Sequence, residues 1–418
     1  MRSDDGARPR EPVRANFIAA YTLAQIAAFV SFQPLLQVLL PLKVEAIDPA
    51  GKAVVLAQVA FYGAIAASIA NLLAGAISDR TTSRFGRRRP WMVIGGLGAS
   101  VAYLAIMHAN TPLTLIGGVI LFQVMFNLCF SALMAVMPDR VPDAQKGLVA
   151  AFLSLGNPIG TAIGAVVVGG LLVTESYRYA AIAAALLLGL APFVTRLHDP
   201  PLPKSAVPPF NLRAFLAGLW VSPRKHSDFA FAWLGRFLVL VAFSLVQSYM
   251  LYFLKDEIDY PHLFPGHRAE EGFAILATIS TVFNVACAML GGVLSDRLRR
   301  RKLFAFGAAL TVALSLIVFS MSPAWPLLVA AFIVYGCGVG CFSAVDIALV
   351  TQVLPSQRDA GKDLGVINLA NTLPQALAPA LAVWSLGPTH GDFKMFFLVA
   401  SALALAGGLA ILPIRGVR

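Results

Sequence analysis

Charged residues are scarce in this sequence, at 13% of 418 residues, whereas soluble globular domains carry about 25%. The longest polar connection, about 197–227, is too short and too rich in proline to form a domain of its own. The mean hydropathy is +0.76. The composition therefore excludes an ordinary soluble protein and predicts a chain that lies largely within a lipid bilayer.

Side chains that carry enzyme chemistry are also few. Cys337 and Cys341 share one predicted helix face and have no histidine near them. Two thiols alone make a poor metal site, so we predict that these small side chains serve close helix packing. The six histidines fall in or beside predicted loops, and no nucleophile–base set, phosphate-binding glycine loop or metal cluster is visible. The sequence predicts neither an enzyme nor a cofactor.

Long apolar runs are what the sequence does contain. Each has roughly the 20 residues that a membrane-spanning helix needs. The runs cover residues 16–40, 53–77, 91–108, 112–137, 147–173, 178–196, 228–254, 271–294, 303–322, 325–350, 364–388 and 393–413. We predict an all-α polytopic membrane protein with twelve transmembrane helices in two pseudo-symmetric six-helix halves. The predicted parts are a tail at 1–15, a bundle at 16–196, a linker at 197–227, a bundle at 228–413 and a tail at 414–418.

The positive charges are distributed unevenly between the predicted loops. The net charge is +11, and 25 of the 32 Lys and Arg residues lie on the side that is cytoplasmic when the N-terminus is inside. This asymmetry is the positive-inside pattern of membrane proteins, which accounts for the basic charge without nucleic acid. We expect an inner or plasma membrane location with both termini in the cytoplasm. No cleavable signal is visible, because the first apolar run is a full span.

An arginine-rich loop joins the second and third apolar runs. It reads Ser78-Asp-Arg-Thr-Thr-Ser-Arg-Phe-Gly-Arg-Arg-Arg-Pro-Trp91, and a shorter copy, Gly292-Val-Leu-Ser-Asp-Arg297, follows about 215 residues later. The loop resembles the signature loop of the major facilitator superfamily. Its longer form resembles that of the glycoside–pentoside–hexuronide:cation symporters and the sucrose-transporter-like proteins. A two-fold repeat of this kind places a substrate site near the midplane of the membrane, between the halves.

The resemblance implies that this loop forms a cytoplasmic gate. Asp79 would accept from the N-terminus of the eleventh helix, near Lys362, and Asp296 would face the start of the fifth helix in the same way. The arginines would hold the loop to acids such as Asp139 or to anionic lipid headgroups. Charge that merely sets topology is the alternative. The predicted gate residues are Gly75, Asp79, Arg80, Arg84, Gly86, Arg87, Asp296 and Arg297.

Two charged residues lie well inside predicted spans. Arg236 and Asp346 are each about nine residues from the cytoplasmic end of their helices, which is roughly 13 Å at 1.5 Å per residue. Buried charge is costly, so such residues are candidates for function. The resemblance permits the seventh and tenth helices to meet in a central cavity, where Asp346 would be the coupling carboxylate and Arg236 its partner. A static ion pair that only holds the helices together is the alternative.

Uncharged polar side chains are plentiful in the spans. Amide and hydroxyl groups suit a neutral polyhydroxylated ligand such as a sugar, although for any one residue a hydrogen bond between helices is the simpler explanation. The candidate cavity residues are Gln33, Gln37, Gln58, Tyr62, Gln123, Asn127, Gln247, Asn284, Asn371 and Gln375. The aromatic rings that could stack on a sugar are Phe29, Phe32, Phe126, Phe243 and Trp384.

One departure from the resemblance concerns the coupling acid. The symporter branch commonly carries acidic residues inside the second or fourth helix, and here those helices have none before Asp79 and Asp139 at their ends. Coupling would then pass through Asp346 instead, and uncoupled transport is an alternative. We predict a secondary transporter, with proton- or cation-coupled uptake of a sugar or glycoside as the preferred function. Proton-coupled efflux of a hydrophobic or drug-like compound is the alternative. The expected partners are a small-molecule solute, a coupling proton or sodium ion and membrane lipid, and a monomer is expected.

Overall fold

The computed structural model describes residues 12–203, 225–353, 360–387 and 392–415. Long helices dominate this part of the chain. They are α1 (Ala15–Ile47), α2 (Lys52–Asp79), α3 (Arg89–Met107), α4 (Pro112–Arg140), α5 (Gln145–Leu171), α6 (Glu175–Arg196), α7 (Ser227–Glu257), α8 (Ala269–Leu298), α9 (Arg301–Phe319), α10 (Trp325–Gln352), α11 (Ala360–Leu386) and α12 (Phe393–Ile411). Eleven of them are long and apolar enough to cross a membrane, and α11 corresponds to the remaining predicted run. The predicted all-helical membrane fold is confirmed.

Two of the helices are irregular at their proline and glycine residues. In α1 the regular helix ends at Pro34, and a wider π-helical turn, Leu35–Leu39, follows. Proline has no N–H to donate within a helix, so the turn around it is loosened. In α5 the regular part stops at Ser154 and resumes at Gly156, with Pro158 in the first turn of the second part. Both positions are among the kinks that proline and glycine predict.

The chain divides into two compact units. The first unit comprises Met1–Leu36 and Ile65–Pro209, and the second comprises Gln37–Ala64 and Phe210–Arg418. The ends of α1 and α2 that face their connecting turn therefore belong to the second unit. In the first unit α1 packs against α5 and α6, and α3 packs against α4. In the second unit α10 packs against α8 and α9, while α7 packs against α11 and α12.

Glycine brings α8 and α10 into close contact. A Cβ atom added at Gly340 would lie 2.0 Å from the carbonyl oxygen of Asn284, and one added at Gly336 would lie 2.5 Å from that of Ser280. These distances are far shorter than a carbon–oxygen contact allows. Small residues let helix backbones approach closely, and such packing is a main source of helix association in membranes. The seam between α8 and α10 is therefore a rigid part of the second unit.

An ion cluster joins the turn between α1 and α2 to the end of α7. Lys52 contacts Glu45 at 3.0 Å and Asp256 at 2.8 Å, and Lys255 also pairs with Glu45. The ammonium group of Lys52 lies 4.8 Å from the ring centre of Tyr252. Alternating charges of this kind hold the segment Gln37–Ala64 to the rest of the second unit.

The helices expose many large apolar side chains. Leu188 is 72% exposed, Met289 is 68% exposed and Val101 is 58% exposed. Such a surface is unfavourable in water and is stable where lipid covers it. The exposed side chains thus agree with the apolar runs in requiring a bilayer around the bundle.

The seam between α8 and α10 generates a stability prediction. Gly340→Ala should destabilise the protein by about 1–3 kcal/mol, because the methyl group forces two backbones apart. Thermal unfolding of the detergent-purified protein measures the effect. Gly307→Ala in α9 is the matched control, because among the described residues the added Cβ atom meets no heavy atom within 4 Å beyond its own stretch of helix. Equal melting temperatures for the two variants would contradict the packing described here.

Candidate functional site

The two charged residues inside the spans contact each other. Arg236 on α7 donates from Nη1 to the carboxylate oxygen Oδ2 of Asp346 on α10. The side chain of Asp346 is 5% exposed and that of Arg236 is 13% exposed. Both residues belong to the second unit. Both residues were predicted as functional candidates because each is a charged residue within an apolar run. The structure places them in one ion pair.

Asn371 on α11 completes this group. Its side-chain oxygen Oδ1 accepts from Nε of Arg236 at 3.1 Å and from Nη2 at 2.8 Å. Asn371 was predicted as one of many cavity amides, and its place beside the ion pair was not predicted. The charged guanidinium is thus shared by a carboxylate and a neutral amide, on two different helices.

Backbone packing next to Arg236 positions α7. A Cβ atom at Gly235 would lie 2.9 Å from the carbonyl oxygen of Gly407, so α7 and α12 touch through glycine at this level. The ring of Trp233 stacks on that of Phe237 at 5.2 Å on the same helix. The close contact fixes the face of α7 that carries Arg236, which directs the guanidinium toward α10 and α11.

The predicted cavity amides of the first unit bond to one another. Gln33 donates to Asn157 at 3.1 Å, and Asn71 donates to Asn127 at 3.3 Å. Asn127 in turn donates to the carbonyl oxygen of Gln123 at 2.8 Å. Gln33, Gln123 and Asn127 are buried. The bonds of Gln33 to Asn157 and of Asn71 to Asn127 join different helices, as in the alternative to ligand binding, whereas the bond from Asn127 to Gln123 lies within α4.

The other predicted cavity residues differ in exposure. Gln37 is buried. The exposed members are Gln58, Tyr62 and Gln247, and the half-buried members are Asn284 and Gln375. These five are the predicted cavity residues whose side chains are exposed or half-buried.

Most of the predicted stacking aromatics pack among themselves. The rings of Phe32 and Phe126 are 4.7 Å apart and nearly parallel, and Phe29 makes an edge contact with Phe130. Phe243 is buried against Phe342. Trp384 is 64% exposed. The packed rings stabilise the helix bundles, so the aromatic set gives little support to a sugar site.

Arg88 is the central residue of the arginine-rich loop. Its guanidinium contacts Asp79 at 2.6 Å, Asp139 at 2.8 Å and the hydroxyl of Ser78 at 2.7 Å, while the side chain is only 6% exposed. Burial opposes its charge, but hydrogen bonding and attraction from Asp139, then attraction from Asp79, outweigh burial and raise the pKa of Arg88 above its ordinary value. From the sequence, Arg80, Arg84 and Arg87 were predicted as gate residues, and Arg88 was not.

The other gate residues have simpler surroundings. Arg87 contacts Asp139 at 2.7 Å, as predicted for an arginine of this loop. Arg80 donates to the carbonyl oxygen of Ala76 at 2.9 Å, and Arg84 lies 4.7 Å from the ring centre of Phe85. In the second copy of the motif Asp296 pairs with Arg301 at 2.6 Å, and Arg297 is exposed.

The predicted partner of Asp79 is the start of α11, near Lys362. The side chain of Lys362 lies outside the residues whose side chains the structure describes. The meeting of Asp79 with α11, and that of Asp296 with α5, both stay predictions.

Gly86 has a conformational reason to be glycine. Its φ is 103°, in the left-handed region, and an added Cβ atom would lie 2.3 Å from Oδ2 of Asp199. The same oxygen of Asp199 accepts from the backbone N–H groups of Arg88 at 2.6 Å and Arg89 at 2.9 Å, which caps the start of α3. By contrast, a Cβ atom at Gly75 would make only an ordinary contact of 3.8 Å, with Ser131. The predicted tight loop at Gly86 is present, and Gly75 is not required for close packing among the described residues.

A cavity of about 480 Å³ adjoins the loop and is lined by residues that include Arg87, Arg140, Asp139 and His198. Asp139 already pairs with Arg87, Asp199 accepts from backbone N–H groups of the loop, and Arg140 donates to the carbonyl oxygen of His198. This cavity belongs to the first unit, whereas the ion pair belongs to the second. It is therefore part of the loop's own packing and is not taken as the candidate site.

Comparisons with known proteins agree on one family. The model of the Major Facilitator Superfamily matches residues 17–268 and 267–417. A crystal structure of the nucleoside transporter NupG superposes with a TM-score of 0.73 at 14% identity, covering 96% of this chain and 99% of that chain. A crystal structure of the peptide transporter POT in complex with sulfate gives 0.74 at 16% identity, covering 98% and 96%. At such identities the likeness shows the fold alone. No curated protein sequence matches significantly.

The arginine network generates a second prediction. Arg88→Gln should destabilise the protein by about 1–3 kcal/mol, because Asp79 and Asp139 lose the donor between them. Arg84→Gln is the matched control, because Arg84 is an exposed arginine of the same loop. Thermal unfolding in detergent measures both variants. A melting temperature for Arg88→Gln equal to that of the control would show that the network is not structural.

Proposed function

This chain belongs to the Major Facilitator Superfamily, and we propose that it couples the uptake of a sugar or glycoside to a proton gradient across the cell membrane. Its family makes it a membrane transporter of small molecules and not an enzyme. The proposal adds the solute class, the coupling ion and the direction of transport. It also includes the topology that the positive-inside pattern favours, with both termini in the cytoplasm and the protein working as a monomer.

The buried pair of Arg236 and Asp346 is the observation that carries the proposal. An ionised side chain at the centre of a transmembrane helix costs about 2.5–3.5 kcal/mol or more, and a partner of opposite charge offsets that cost. Protonation makes the carboxyl group of Asp346 neutral, so Asp346 no longer requires a partner of opposite charge. The site therefore has two acceptable states, a closed ion pair and a neutral acid beside a separated guanidinium.

Alternation between these states would drive the transport cycle. A proton binds a carboxylate oxygen of Asp346 and releases Nη1 of Arg236, which lets α10 move relative to α7. Loss of that proton on the side of lower proton concentration restores the ion pair. In the proposed cycle the protonated site moves only with solute bound, and the empty site returns with the ion pair closed, so solute and proton cross together. Coupling through Asp346 also accounts for the absence of acidic residues inside α2 and α4.

The accessible polar residues support a neutral, hydrogen-bonding solute. Gln58, Tyr62 and Gln247 are exposed, Asn284 and Gln375 are half-buried, and each offers a donor and an acceptor without charge. The long form of the arginine-rich loop supports the glycoside–pentoside–hexuronide and sucrose-transporter-like branch. The likeness to a nucleoside transporter adds nucleosides, which are themselves glycosides, to the solutes worth testing.

Uptake into reconstituted vesicles tests the solute and the direction. The probes are labelled sucrose, a labelled pentose, uridine, a dipeptide and the lipophilic cation tetraphenylphosphonium, each with an inward proton gradient or an inward sodium gradient. We expect accumulation of a sugar or of uridine that a protonophore abolishes. Proton-driven movement of tetraphenylphosphonium alone would instead support efflux of hydrophobic compounds, and accumulation driven by sodium alone would overturn the choice of ion.

Removing both members of the ion pair tests the coupling. The double variant Arg236→Ala/Asp346→Asn leaves no unpaired charge, so the protein should fold and let solute equilibrate, without concentrating it. Arg268→Ala/Glu271→Gln is the control, because it removes a more exposed ion pair of 3.1 Å at the start of α8 in the same unit. Concentrative uptake by the first variant would exclude Asp346 as the coupling residue and would leave a static pair as its role.

A further inference from the structure

We infer that Asn371 is a positioning residue that shares Arg236 with Asp346, so that the carboxylate accepts a proton at a higher pH than it would with Arg236 to itself. The inference rests on the proposed coupling role of Asp346 and deepens it. The proposed function requires that the ion pair open. Asn371 explains how it opens without leaving Arg236 with no partner inside the membrane.

The geometry of the guanidinium carries this inference. An arginine side chain is a planar fork with five N–H donors, and it binds a carboxylate most strongly through two parallel bonds. Here the edge formed by Nε and Nη2 faces Oδ1 of Asn371, at 3.1 Å and 2.8 Å. The described contact with Asp346 uses Nη1. The amide thus occupies one of the two edges of the guanidinium at which a carboxylate can form a two-bond pair.

This division has two consequences for protonation. A single contact holds Asp346 less firmly than a two-bond pair, so the ionised carboxylate is stabilised less and a proton competes more easily. After protonation, Arg236 keeps both bonds to Asn371, so its charge remains solvated by the amide oxygen. Both effects favour the neutral form of Asp346.

The charged surroundings of Asp346 are simple in the described part of the chain. Arg236 on α7 is the charged side chain that acts on it. From α9, Arg301 donates to the carbonyl oxygen of Ala348 at 3.4 Å, and from α8, Asp296 pairs with that Arg301. A change at Asn371 therefore acts on Asp346 through Arg236.

Asn371 lies on a helix that contains two prolines. Pro374 and Pro379 both lie inside α11, and Pro374 lacks the N–H that would bond one turn back, next to Asn371. Because the three members of the group lie on α7, α10 and α11, bending of α11 would change how Arg236 is divided between the amide and the carboxylate. This places Asn371 where the shape of α11 and the protonation of Asp346 affect each other.

Infrared difference spectroscopy of the purified full-length protein tests the inference without a known solute. The carbonyl stretch of a protonated carboxyl group is followed as the pH is lowered, and subtraction of the Arg236→Ala/Asp346→Asn spectrum isolates Asp346. For Asn371→Leu we expect the midpoint to fall by about one pH unit, a tenfold change in proton affinity, because Arg236 turns fully to Asp346. For the shape-matched Asn371→Asp the first protonation should move to higher pH, because a second carboxylate competes for Arg236.

The outcomes separate this inference from the proposed function. Gln352→Leu, which removes an exposed amide at the end of α10, should leave the midpoint unchanged. A lower midpoint for Asn371→Leu together with a higher one for Asn371→Asp supports the positioning role, whereas the reverse pair of shifts overturns it. Equal midpoints, or shifts in the same direction, overturn it while leaving coupling through Asp346 intact. If the wild type shows no titrating band from Asp346, both the inference and the proposed coupling fail.

Discussion

An unpaired charge inside a bilayer is costly, and the opposite charges of Arg236 and Asp346 offset that cost by pairing. This one contact joins α7 to α10, and Asn371 extends it to α11. A pair that is stable only while the carboxyl group is ionised responds to pH in a way that an amide or a hydroxyl cannot. In the proposed transport cycle the pair opens once, and this opening requires the surrounding helices to move.

The polar groups of the two units play different parts. In the first unit the amides of Gln33, Asn127 and their neighbours bond to one another, and Arg88 gathers Asp79 and Asp139 at the arginine-rich loop. Those networks are satisfied internally, so they stabilise the unit. In the second unit the charges lie inside two apolar helices, and side chains of α10 and α11 share the guanidinium of Arg236. The first set stabilises its unit, and the second set is the one that carries the proposed coupling role.

The sequence predicts the helices and the ion pair for a common reason: a bilayer tolerates little besides apolar residues, so exceptions stand out. Arg236 and Asp346 were visible as the charges within apolar runs. Arg88 was not, because five arginines of one loop look alike until the fold buries one of them. Asp199 lies more than a hundred residues from the helix start that it caps, and Asn371 was one amide among many. Both roles depend on contacts between distant segments, which local patterns do not encode.

The reversal of transport at opposing gradients tests proton coupling most directly. Vesicles containing the wild-type protein are loaded with the transported sugar or nucleoside, and the inward proton gradient is varied until net flux stops. With one proton per solute, flux should stop when the outward solute gradient equals the inward electrochemical proton gradient. A flux that stops only when the solute concentrations are equal, at every pH difference, would contradict coupling through the buried ion pair.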